Sequence, residues 1–167
     1  LLYLQTRLES LDGRIDAIFR KQQHDEKIRA HLSELQKLLT HFEDTSSSPD
    51  ELLSFPEMEG DKTIRDLIEA RILALKEDDS ELAASIAADL HSHGHILADD
   101  NTKYHAFEAA NTKEYLQNVS KQLETGAQMD MIQIQTLMSA RQTAIQLSTN
   151  LVASYGHAEK SVVSNIR

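Results

Sequence analysis

The chain has 167 residues, 40% of them apolar, and a formal net charge of −10. This length suits one ordinary domain or a long helical hairpin that carries an insert, and a large second domain is not expected. The negative charge makes nucleic acid and anionic membranes poor partners, because both would repel the chain. The sequence contains no cysteine, which removes disulfides, thiol catalysis and thiolate metal sites.

The composition favours helix along the whole chain. Five glycines and two prolines are too few for the turns that a β-sandwich or barrel needs. Aromatic residues make up only 5%, so a core would consist mainly of aliphatic side chains, which suits narrow seams between helices. The sequence has no run of about 18 apolar residues, so no membrane span is expected. Because the first residue is Leu1 rather than Met, we expect that upstream sequence, with any targeting signal, has been removed.

The first 42 residues show the heptad pattern of a long coiled-coil helix. Apolar residues recur in alternating steps of four and three on both sides of a polar gap. They are Leu4, Leu8, Leu11, Ile15, Ile18, Ile28, Leu32, Leu35, Leu39 and Phe42. In the gap, Gln22 and Asp25 occupy the seam positions. They form either a polar layer that helps to fix the register of a helix pair or a solvated stretch of a bent helix.

The middle of the chain predicts a loop followed by a small helical insert. Residues 43–60 combine a serine run, both prolines and a glycine, which is typical of a loop. Three helices are expected next: one capped by Asp61, one that begins near Ser80, and one that is capped by Asn101 and ends at Gly126. The apolar residues of these helices are Ile64, Leu67, Ile68, Ile72, Leu75, Leu82, Ile86, Leu90, Tyr104, Phe107, Tyr115, Leu116, Val119 and Leu123.

The segment from Ala127 onward predicts a second long helix with a wide apolar face. Two neighbouring stripes each advance in steps of three and four residues. One stripe comprises Met131, Ile134, Met138, Arg141, Ile145, Ser148, Val152, Tyr155, Glu159, Val162 and Ile166. The other comprises Leu137, Ala140, Ala144, Leu147, Leu151, Ser154 and Ala158. One partner helix would not cover both stripes.

We therefore predict an all-α fold, a long antiparallel helical hairpin (coiled coil) of the N- and C-terminal helices with a small helical insert. The predicted segments are the N-terminal helix 1–42, the loop and helical insert 43–126, and the C-terminal helix 127–167. Each terminal helix would extend roughly 60 Å at about 1.5 Å per residue, and their equal lengths favour pairing. Some apolar surface of the last helix would remain for another chain.

The sequence HSHGH is the best candidate for a metal site. His91, His95 and Asp99 are spaced four apart, with His93 between the first two. An unbroken helix would place the three on one face, where Zn²⁺ or Ni²⁺ could bind, although Gly94 weakens such a helix. Solvated histidines are the simpler interpretation, and no metal ligand is assigned. The other histidines are also expected on polar surfaces, among them His24, His31, His41 and His105.

No sequence pattern indicates an enzyme or a cofactor. The chain lacks a P-loop, a dinucleotide-binding fingerprint, a serine nucleophile elbow and an HExxH motif. Asp78, Asp79 and Glu81 lie at an expected helix boundary, where the helix dipole favours negative charge without any acid–base role. We therefore expect neither catalysis nor a bound cofactor.

The segment from Ser139 to Arg167 keeps its apolar stripe to the last residues. Burial of a large apolar side chain contributes up to about 1.5 to 3 kcal/mol, which suggests that a neighbour covers these residues. The segment resembles the C-terminal helix of bacterial type III secretion needle proteins. Both have a polar turn with Ser and Asn and, further on, two β-branched residues, a polar residue, Asn, an apolar residue and a terminal Arg. The matching residues are Ser148, Thr149, Asn150, Val162, Val163, Ser164, Asn165, Ile166 and Arg167.

The chain also resembles longer proteins of that system, the EspA-like filament proteins and the needle-tip proteins. They too pair a long N-terminal helix with a long C-terminal helix around an insert. The resemblance implies a secreted structural subunit at the bacterial cell surface that binds itself or other secretion-apparatus subunits. It also implies a cytoplasmic pool bound to a helical chaperone. The assembly residues carried over by position are Leu151, Val152, Val162, Val163, Asn165, Ile166 and Arg167.

Two other functions stay open. One is a cytoplasmic coiled-coil adaptor or chaperone that binds a helical partner. The other is a His-dependent metal-binding helical module, built on the cluster of His91, His93 and His95.

Overall fold

Four helices contain most of the residues that the structure describes. The computed structural model describes residues 1–45, 52–53, 62–92 and 106–166. The helices are α1 (Leu2–Thr45), α2 (Ile64–Asp78), α3 (Ser80–Ser92) and α4 (Ala106–Ile166). The all-α class and the two long terminal helices confirm the prediction from composition and periodicity.

A short antiparallel strand pair lies between α1 and α2 in the sequence. Strand β1 (Leu52–Leu53) pairs with β2 (Lys62–Thr63), so that Leu52 lies opposite Thr63 and Leu53 opposite Lys62. A ladder of two residues on each side cannot support a sheet of its own, and the fold class does not change. The predicted cap Asp61 lies outside the described residues.

The chain divides into two compact units. The terminal unit comprises Leu1–Gln23 and Gly126–Arg167, and the middle unit comprises His24–Thr125. Helices α1 and α4 each contribute residues to both units, whereas α2 and α3 belong to the middle unit alone.

All four helices contribute to the core of the middle unit. The seam that the heptad spacing predicted in α1 is confirmed, since it supplies Ile28, Leu32, Leu35 and Leu39. The remaining core residues are Ile68 and Leu75 of α2, Ala83, Ile86 and Leu90 of α3, and Leu116 of α4. The insert helices therefore pack directly against the second half of α1.

Polar side chains hold the corner between α2 and α3. Asp79 caps α3, because its carboxylate accepts a hydrogen bond from the backbone N–H of Leu82 at 3.0 Å. His31 Nε2 lies 2.9 Å from the carboxylate of Asp78, and His24 Nε2 lies 2.8 Å from the Asp78 carbonyl. The prediction that His31 lies on the surface is wrong, since only 15% of its side chain is exposed. The end of α2 supplies the polar partner that allows this imidazole to be largely buried.

The terminal unit contains the predicted antiparallel hairpin. Leu11 and Ile15 of α1 pack against Leu137 and Ala144 of α4. Two ion pairs fix the antiparallel order, since Asp12 accepts from Arg141 Nε and Asp130 accepts from Lys21 Nζ, both at 2.6 Å. The side-chain amide of Gln22 donates to the Ala127 carbonyl at 3.5 Å, which supports a polar layer at this seam position.

The predicted helix end at Gly126 is wrong, because α4 runs through this residue without a break. A glycine ends a helix when it adopts a left-handed conformation, and Gly126 does not have a left-handed φ. Glycine inside a helix costs about 1 kcal/mol relative to alanine, which the flanking helix-forming residues offset. The predicted cap Asn101 lies outside the described residues.

The unbroken α4 changes which residues pack together, compared with the predicted pairing of 1–42 with 127–167. Leu116, Val119 and Leu123 of α4 pack in the core of the middle unit, with the second half of α1. Within the terminal unit, α1 supplies only residues up to Gln23. The last part of α4 is therefore longer than the segment of α1 that pairs with it.

Candidate interaction surface

The helix pair of the terminal unit ends near Leu147. At this end, a shallow groove is lined by Tyr3, Leu4, Arg7, Ala140, Thr143, Ala144 and Leu147. Helix α1 begins at Leu2, whereas α4 continues to Ile166. In this described part of α4, every residue from Thr149 to Ile166 is exposed except Gly156, which is partly exposed. Residues 148–166 extend about 28 Å at 1.5 Å per residue.

This exposed end of α4 carries large apolar side chains on one side of the helix. Their exposed fractions are 50% for Leu147, 50% for Leu151, 57% for Val152, 75% for Tyr155, 57% for Val162, 55% for Val163 and 79% for Ile166. These seven residues are called here the α4 apolar face. Leu151 follows the buried Leu137 and Ala144 at a spacing of seven residues, so it lies on the side of α4 that packs against α1. The face therefore continues the hairpin seam beyond the start of α1.

The sequence-predicted assembly residues lie mostly on this face. Leu151, Val152, Val162, Val163 and Ile166 belong to it, and Asn165 is exposed on the same segment. Arg167 lies outside the described residues. The residues assigned by resemblance to needle proteins do not include Leu147 and Tyr155. The spacing of three and four residues places both in the apolar stripes.

A second exposed stripe runs along the paired part of α4. Met131, Met138 and Ile145 are each 40% to 49% exposed and are spaced seven residues apart, in line with Val152. Helix α1 buries Ile134, Leu137 and Ala144 but leaves this neighbouring stripe open to solvent. The apolar surface of α4 is thus wider than one partner helix covers, as the two sequence stripes predicted.

The end of α4 is almost free of charge. Residues 142–158 contain no Asp, Glu, Lys or Arg, and residues 148–166 contain one acidic residue, Glu159, and one basic residue, Lys160. The whole chain carries −10, so the segment is neutral within a strongly acidic protein. A second copy of the chain would meet little electrostatic repulsion at this segment.

The metal site suggested by the sequence HSHGH stays a prediction, because most of its residues lie outside the described part of the chain. His91 is exposed at the end of α3, whereas His93, His95 and Asp99 lie outside the described residues. Among the residues that are described, no three His, Asp or Glu side chains are grouped so that they could hold a metal ion. No helix in the described part of the chain is both long and apolar enough to cross a membrane.

The resemblance to type III secretion proteins rests on residues of α4. The resembling residues from Ser148 to Ile166 all lie in one unbroken helix, as the likeness to a C-terminal helix requires. Comparison with known proteins adds no relative: no protein-family model, curated protein or solved structure matches the chain.

Proposed function

We propose that this protein is a structural subunit that assembles through the α4 apolar face, as a filament or tip-like component of a bacterial type III secretion apparatus. The observation that supports assembly is the exposure of seven large apolar side chains on one side of the end of α4. Large apolar side chains that are exposed together on one side of a helix often mark a surface that another protein covers.

The energy available from covering this face is sufficient for association. Five aliphatic residues, Leu151, Val152, Val162, Val163 and Ile166, are at least half exposed. Their complete burial would contribute on the order of 4 to 8 kcal/mol for each copy. Two copies together would then offset a loss of translational and rotational freedom that amounts to about 4 to 15 kcal/mol.

The secretion part of the proposal rests on the likeness of the Ser148–Arg167 pattern to needle proteins and on the hairpin plan. The absence of cysteine suits export of an unfolded chain. In this proposal the subunit acts at the bacterial surface, binds itself or other apparatus subunits, and is held in the cytoplasm by a helical chaperone. That chaperone would cover the α4 apolar face before export.

Assembly through this face is tested by sedimentation equilibrium of the wild type and of Ile166→Asp. We expect the wild type to associate and the charged variant to dissociate at a concentration at least about tenfold higher, because the carboxylate would have to be buried. Ser164→Asp is the matched control, since it adds the same charge to the opposite side of the same helix turn. A wild type that stays monomeric, or equal effects of the two substitutions, would contradict assembly through the face.

The cellular role is tested by expressing the protein from its whole gene in a bacterium that has an active type III apparatus. The proposal expects the protein in the culture medium, and expects it to stay inside cells whose secretion ATPase is inactive. A chain that associates but remains in the cell pellet of both strains would instead support the cytoplasmic adaptor or chaperone, which also uses a helix to bind a helix.

A further inference from the structure

We infer that the α4 apolar face pairs with the same face of a second copy, antiparallel and about a two-fold axis, and that this closed dimer covers the assembly surface before any larger structure forms. The inference rests on the proposed function, since it names the partner and arrangement of the same surface. The occupant of the face is a second copy of this chain.

The first support is continuity with the hairpin seam. Within the terminal unit, Leu137 and Ala144 of α4 pack against an antiparallel helix, α1, through Leu11 and Ile15. Leu151 extends the same line but is 50% exposed. An antiparallel helix from a second copy would lie along α4 as α1 does, and would continue this packing without a change of helix direction.

The second support is that the order of residues on the face suits pairing with itself. An antiparallel pairing centred near His157 places Leu151 opposite Val163 and Val152 opposite Val162 of the second copy. Ser148 then lies opposite Ile166, so that residues 148–166 of each copy are covered along their full length. Gly156 and Ala158 lie at the centre, where small residues permit close approach of two helices.

The third support is the placement of the single acidic side chain. In a parallel, in-register pair, Glu159 would lie opposite Glu159 of the other copy, and like charges would repel. In the antiparallel pair, Glu159 lies opposite Tyr155, whose hydroxyl can donate to the carboxylate. The two copies would make this contact twice because the arrangement is symmetric.

A two-fold interface is closed, so the pairing has a consequence for assembly. Each copy uses the same face on the other, so the pairing is complete at two copies and offers no identical site to a third. Growth of a filament through α4 would then require the dimer to open, and a helical chaperone would bind in competition with the second copy.

The arrangement is tested by cross-linking, which the absence of native cysteine makes site-specific. In the antiparallel pair, position 158 lies about 3 Å along the axis from its own copy, whereas position 148 lies about 27 Å away. With a short bismaleimide, Ala158→Cys should therefore form covalent dimers and Ser148→Cys should not. A mixture of Ser148→Cys and Ile166→Cys should form cross-linked heterodimers.

The outcomes separate this inference from the proposed function. Cross-linking of Ser148→Cys with itself would indicate a parallel pair and would overturn the antiparallel dimer while leaving assembly through α4 in place. No cross-link from either single variant, in a protein that sedimentation shows to be associated, would overturn it in the same way. A monomer without cross-links would overturn both.

Discussion

Two histidines of α1 and the last residue of α2 form a polar cluster inside the middle unit. The pKa of His24 is raised above its usual 6.5, mainly because its ring is hydrogen-bonded to the Asp78 backbone carbonyl, and Asp25 and Asp79 act in the same direction. The hydrogen bond from His31 holds the pKa of the Asp78 carboxyl below its usual 3.8, with smaller contributions from Lys27 and His24. The cluster therefore favours a cation at the C-terminal end of α2, as the helix dipole also does.

This cluster predicts a pH-dependent effect of His24→Ala. A raised pKa gives stabilisation that is complete below the pKa of the unfolded chain and is lost as pH rises through the folded pKa. The melting temperature of His24→Ala should thus fall further below the wild type at about pH 5.5 than at about pH 8.5. The contribution of Asp78 does not interfere, because its lowered pKa makes that contribution disappear only below pH 3.8. Thermal unfolding followed by circular dichroism measures the difference.

The matched control is His157→Ala, which removes an exposed histidine from α4. We expect a small effect of this substitution on the melting temperature, because the residue is exposed. An identical loss of melting temperature for His24→Ala at both pH values would show that its imidazole contributes packing alone.

Asp79 gives a second prediction at the scale of one residue. Replacing Asp79 by alanine removes the acceptor for the Leu82 N–H and should lower the free energy of unfolding by about 0.5 to 2 kcal/mol. Asp79→Asn should retain most of the stability, because an asparagine side chain caps a helix almost equally well. Denaturant unfolding of the three proteins checks the prediction, and equal losses for the two variants would count against the cap.

At the scale of the element, the sequence predicted which side of each helix is buried, because apolar spacing is a local property. The burial of Ile28, Leu32, Leu35 and Leu39 confirms this for α1. The burial of His31 was not predictable, since its partner Asp78 is 47 positions away in the sequence. A local pattern indicates a buried face but does not identify the helix that covers it.

Gly126 shows the limit of local signals for helix ends. We predict that Gly126→Ala stabilises the protein by roughly 0.5 to 1 kcal/mol, because alanine is a better helix former. Among the described residues, no side chain and no neighbouring helix lies within 4 Å of the position that the new Cβ would occupy. Gly13→Ala, in an equally open position of α1, should have a similar effect and serves as the control. Chemical denaturation measures the stability of both variants. A loss of stability for Gly126→Ala, but not for Gly13→Ala, would support the helix end at Gly126 that was predicted from the sequence.

At the scale of the whole molecule, the sequence predicted two long helices, their antiparallel pairing and an apolar surplus on the second. It did not predict how far the pairing extends, because the apolar pattern of α1 is the same in both compact units. Leu11 packs in the terminal unit and Leu32 in the core of the middle unit, although both occupy seam positions of one heptad pattern. The surplus on α4 was predictable, since two neighbouring apolar stripes are wider than one partner helix covers, and Val162, Val163 and Ile166 keep the helix apolar to its end.

The central claim is that the end of α4 is an assembly surface, and sedimentation velocity of the full chain beside a chain that ends at Leu147 tests it most directly. The described residues that are removed are all exposed except Ser148 and Gly156, which are partly exposed, so the shortened chain should keep its fold, which circular dichroism can verify. We predict that the full chain associates as its concentration rises and that the shortened chain stays monomeric. Association of the shortened chain to the same extent, through the stripe of Met131, Met138 and Ile145 or by any other route, would contradict the claim.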